Sequence, residues 1–76
     1  MAIHRTEMSL QVTQQLVSMG FPAAFAQLVG EQMNTDFTAR QMLGYLRDAR
    51  PRTMEAVADE MLGILEMRDR FIERKL

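Results

Sequence analysis

Cysteine and tryptophan are absent from this 76-residue chain, which holds only one histidine, two prolines and four glycines. Without cysteine no disulfide can staple the fold, and with His4 as the sole imidazole a structural zinc site has no ligand set. No apolar run approaches the roughly 20 residues that span a bilayer. Residues 1–20 show no basic segment leading into a continuous apolar stretch. The expectation is a soluble, cytoplasmic protein with no membrane contact. An excess of charge is missing as well: nine basic and ten acidic residues leave −1, so no global field draws the chain to nucleic acid or anionic lipid. Period-2 alternation of β-branched residues is not found, which excludes strands. Catalysis has no footing, because His4 has no companion base or nucleophile and the glycines are scattered rather than gathered into a phosphate loop. The chain reads as non-enzymatic, with no cofactor and no metal.

What is present is helical periodicity. Ser9 stands as an N-cap for a stripe of Leu10, Thr13, Leu16 and Val17 that Gly20 ends, placing helix 1 at about 9–19. Pro22 then suits a first helical position, and Ala24, Phe25, Leu28, Val29 and Met33 give helix 2 over about 22–33. Asn34-Thr35-Asp36 is a turn-and-cap cluster before helix 3 (about 36–48), whose apolar side is Ala39, Met42, Leu43 and Leu46. Pro51 breaks that helix, since the residue before a proline avoids the α region. Thr53 caps helix 4, about 53–74, whose stripe runs Met54, Val57, Ala58, Met61, Ile64, Leu65, Phe71, Ile72. The expected fold is therefore all-α, a small bundle of three short helices plus one long C-terminal helix. Residues 1–8 read as a flexible arm and 9–76 as a single domain.

Charge is unevenly spread. Residues 40–52 hold Arg40, Arg47, Arg50 and Arg52 against one acid, Asp48, while 55–60 hold Glu55, Asp59 and Glu60 with no base. Pairing of these arginines with those acids across the turn between helices 3 and 4 is one reading. The other is a helix-turn-helix DNA-binding regulator. Its turn glycine would be Gly30, four residues after Ala26, and helix 3 with its arginines would face the groove. Against that stand the negative net charge, an apolar stripe that runs through Gly30 to Met33, and few donors suited to base edges.

Residues 11–46 resemble a ubiquitin-associated (UBA) domain. The resemblance is carried by Met19-Gly20-Phe21-Pro22 between helices 1 and 2, Ala26 five residues after Phe21, the Asn34-Thr35-Asp36 turn, and Tyr45-Leu46 closing helix 3. It implies a compact three-helix bundle with a ubiquitin-binding patch made of Met19, Gly20, Phe21, Leu43 and Leu46, with Tyr45 at its edge. UBA-like bundles also serve proteins with no ubiquitin role. From the residues alone, Met19 and Phe21 at a tight turn can pack inward as staples or outward as a contact patch.

Helix 4 carries the remaining expectation. Its length is about 30 Å, whereas a bundle of short helices reaches only about 16–20 Å. The distal turns should overhang, leaving apolar side chains that a second copy would cover. The expected homodimer seam is Ile64, Leu65, Arg68, Phe71 and Ile72, with Arg68 interrupting an otherwise heptad-like spacing. The alternative is that Ile3 and Met8 fold back over Phe71. Together these features predict a protein–protein interaction module acting through exposed apolar patches, its partner unidentified.

Overall fold

The computed structural model describes residues 7–74, and the side chains only as far as residue 70. Four helices follow one another: α1 (Glu7–Ser18), α2 (Ala23–Gln32), α3 (Asp36–Ala49) and α4 (Met54–Arg74), with no strand among the described residues. The all-α expectation of three short helices and one long one holds. None of the four is long and apolar enough to cross a membrane.

Local chemistry sets each helix end. Gly20 sits at φ 98°, and around it the Phe21 N–H donates to the Leu16 carbonyl (3.1 Å) while the Gly20 N–H donates to that of Val17 (3.0 Å). This pair of bonds is the Schellman closure, which needs a residue free to adopt positive φ. It delivers Phe21 into the same core as Leu16. Pro22 is the N-cap of α2 rather than its first residue: its carbonyl accepts from Ala26 N–H at 2.9 Å. Thr35 and Thr38 form a reciprocal capping box at the start of α3, each hydroxyl accepting from the other's backbone N–H at 3.1 and 3.2 Å. The Thr53 hydroxyl accepts from Ala56 N–H (3.1 Å) to start α4, as the sequence predicts.

Ser9 departs from its predicted role. α1 begins at Glu7, two residues before it, and Ser9 lies fully buried inside the helix. Residues 1–6 of the expected arm, and with them the folding back of Ile3, lie outside the described residues.

α1 packs on both α2 and α3, and α4 packs on α3 and, less extensively, on α2. The shared core is built from Val12, Leu16, Phe21, Ala26, Val29, Met33, Ala39, Met42 and Leu46, joined from α4 by Val57 and Ile64. Two polar contacts fix how the helices meet. Thr13 Oγ1 donates to the Ala26 carbonyl across the α1–α2 interface (3.1 Å), and Tyr45 Oη donates to the Ala56 carbonyl across α3–α4 (3.3 Å). Gly30 is buried in α2 directly against Thr13 and the Ser9 carbonyl. It is thus a close-approach residue inside a helix, not the glycine of a turn. The turn marker of the helix-turn-helix reading is absorbed by packing.

Candidate functional site

The ends of α1 and α3 lie side by side, and the connection to α4 closes one end of the space between them. The result is an open groove of about 740 Å³. Gln11, Gln15 and Ser18 form the α1 wall and Met19 ends it. Leu43 and Leu46 come from α3, and Arg47, Arg50, Pro51 and Arg52 form the far rim. These residues meet because Gly20 stops α1 just past Met19, and because α3 presents positions 43, 46, 47 and 50 along one side.

Arg50 owes its place to backbone chemistry. Pro51 bars it from continuing the helix, and it turns into the left-handed region at φ 49°, ψ 60°, with its N–H donating to the Leu46 carbonyl (3.2 Å). A side chain in this region costs about 1–2 kcal/mol. Arg50→Gly is therefore expected to raise the unfolding free energy by about 0.5–1 kcal/mol, the strain relieved less the added freedom of the unfolded chain. Urea denaturation checks this; an unchanged or lower midpoint contradicts it.

Electrostatically the rim is open. Arg47 touches only its exposed sequence neighbour Asp48, at 3.2 Å. Such a surface pair is worth little. Arg40, Arg50 and Arg52 are exposed and make no ion pair among the described residues. The expected pairing with Glu55, Asp59 and Glu60 across the α3–α4 turn does not form: the acids lie on α4 beyond salt-bridge distance. Three guanidinium groups therefore gather at one end of the groove, and two of them, Arg50 and Arg52, have no carboxylate to neutralise them.

Two groups of residues that the sequence treats as separate sites converge here. Met19, Leu43 and Leu46, from the patch implied by the resemblance, share the groove with Arg47, Arg50 and Arg52, from the nucleic-acid alternative. Others do not join. Phe21 is only 9% exposed and packs inward beside Phe25, ring centroids 5.9 Å apart. Gly20 is exposed but outside the lining. Tyr45 is turned to α4 by its hydrogen bond. Leu46 is 1% exposed, so it forms the floor and belongs to the core. Arg40 is exposed on α3 and is not part of the lining. Gln11, Gln15 and Ser18 carried no sequence signal, being polar positions on the outer side of a short helix.

On α4, Ile64 is 2% exposed and belongs to the chain's own core. Leu65 and Arg68 are half-buried, with the Arg68 Nε lacking a hydrogen-bond partner and its Nη2 at 3.3 Å from Asp69. The side chains of Phe71 and Ile72 lie outside the described residues, so the distal half of the predicted seam does too. No cluster of three or more metal-ligating side chains occurs among the described residues.

Set against known proteins, the chain matches no family model, no curated protein and no solved structure.

Proposed function

We propose that this protein is a non-enzymatic protein-interaction module and that the arginine-rimmed groove between α1 and α3 is its docking surface. The observation that carries this reading is the union, in one groove, of half-buried Met19 and Leu43 with the unpaired guanidinium groups of Arg50 and Arg52. Half-buried apolar groups gain from losing water, and flanking charges without partners set orientation and encounter rate. The complementary partner is a protein segment that presents an apolar side chain flanked by carboxylates. A UBA-like arrangement of α1–α3 belongs to the same proposal, supported by the positive-φ Gly20 turn and the Thr35 cap. The contact surface is the groove rather than the Met-Gly-Phe turn, because Phe21 packs inward.

Titrating an acidic amphipathic model peptide into the isotope-labelled protein tests this. Backbone shifts should concentrate on Gln15, Met19, Leu43 and Arg50, and weaken as salt screens the arginines. Shifts spread evenly over the surface, or none at all, would overturn it. Duplex DNA under the same conditions is the control for a regulator that uses Arg40, Arg47, Arg50 and Arg52. Asp36 in the first turn of α3 sets a negative charge at the end of the helix that would approach phosphate. Saturable DNA binding with a steep salt dependence would replace the protein-docking reading.

A further inference from the structure

We propose that the groove's occupant is a second copy of this chain, presenting the outer face of α4. The inference rests on reading the groove as a docking surface, and it adds the identity of the partner. Glu55, Asp59, Leu62, Glu66 and Asp69 recur at steps of four and three, which keeps them on one side of a helix. All five are exposed. Leu62 is the most exposed large apolar side chain described, at 55%, and it stands in the middle of four carboxylates. Asp69 meets Arg68, but Glu55, Asp59 and Glu66 make no ion pair among the described residues.

The two surfaces match in character and in length. The groove offers Met19 and Leu43 beside Arg47, Arg50 and Arg52; the stripe offers Leu62 beside acids. Leu43 and Arg50, like Asp59 and Glu66, stand seven positions apart, about 10 Å of helix. Within one chain they cannot meet, since α4 is already fixed against α3 by Val57, Ile64 and the Tyr45 bond. Between two chains each groove receives the other's stripe, giving a closed two-fold pair with two identical contacts. A near-zero net charge does not oppose it. The contact differs from the distal seam predicted from the apolar stripe: it uses the solvent side of α4 rather than the side that holds Ile64.

Light scattering on the full chain tests the proposal, at low salt and up to about 1 mM, which exposes even a millimolar dissociation constant. The mass should rise from 8.8 kDa toward twice that value, and the association should weaken with added salt. Arg50→Glu/Arg52→Glu and Asp59→Arg/Glu66→Arg change only exposed positions, so each variant should stay helical by circular dichroism. Each alone should be monomeric, at least tenfold weaker in self-association, because its groove and stripe then carry like charge. Mixed in equal amounts the two variants become complementary at both contacts, and the dimer should return. A monomeric wild type, a dimer that survives either reversal, or a mixture that stays monomeric would each overturn the proposal. If the wild type is monomeric while the acidic peptide still shifts Met19 and Leu43, self-recognition fails and the docking reading stands. If neither associates, both fail.

Discussion

Gly30→Ala is expected to lower the unfolding free energy by about 2 kcal/mol, the balance of overpacking and a lost hydrogen bond against a better helix propensity. The new methyl would meet Thr13 Oγ1 within contact distance and the Ser9 carbonyl at 3.1 Å. Thr13 can swing away only by giving up its bond to the Ala26 carbonyl at 3.1 Å, and the Ser9 carbonyl is fixed by α1 itself. The interface must therefore open, which loosens the largest helix–helix contact of the fold, α1 against α2. In an exposed helix the same change would stabilise by about 1 kcal/mol, so the sign of the effect decides whether the close approach exists. For a domain this small, about 2 kcal/mol shifts the melting midpoint by roughly 10 °C. Removing the obstructing hydroxyl should recover part of the loss. Thr13→Ala/Gly30→Ala is expected to be more stable than the sum of the two single changes predicts, a coupling that independent sites would not give. Thermal and urea unfolding of the four proteins supplies the cycle. A neutral or stabilising Gly30→Ala would mean that the helices do not meet at this residue.

Gly30 also explains what the sequence could and could not disclose. A glycine in a sequence announces either a positive φ or a close approach, and only the neighbouring chain tells which. Gly20 was legible because Met19-Gly20-Phe21-Pro22 carries turn chemistry on both sides; Gly30 resembled a turn glycine because Ala26 precedes it by four. Local signals read well for the same reason: Thr35 and Thr53 act through bonds to residues three away, and Pro51 acts on the residue just before it. Ser9 misled because a cap and a small buried polar residue at a helix interface look alike in sequence. The groove was half legible. Its apolar side and its arginines were each visible, but their meeting depends on the end of α1 lying beside the end of α3, a contact some thirty residues distant in sequence. The same non-local packing turned Phe21 inward, and joined Tyr45 to Ala56.

The contrast between Leu46 and Leu43 separates floor from surface. Leu46→Ala is expected to cost about 3 kcal/mol, because the side chain is 1% exposed and its removal leaves a cavity in the shared core. Native stability for domains of this kind is of order 5–15 kcal/mol, so the variant should fold at low temperature with a sharply reduced midpoint. Leu43→Ala should cost far less, about 1 kcal/mol, since that side chain is half-buried and already meets water. Groove occupancy should show the reverse order. The peptide titration on Leu46→Ala, held where the protein is fully folded, should retain most of the affinity, whereas Leu43→Ala should lose about tenfold, the share of apolar contact that one side chain supplies. Were Leu46→Ala to abolish docking without loss of stability, the floor would be a contact surface and the ends of α1 and α3 would have to part to admit a ligand. Were both variants equally destabilised and equally competent to dock, the apolar side of the groove would contribute nothing to recognition, and the arginine rim alone would have to account for it.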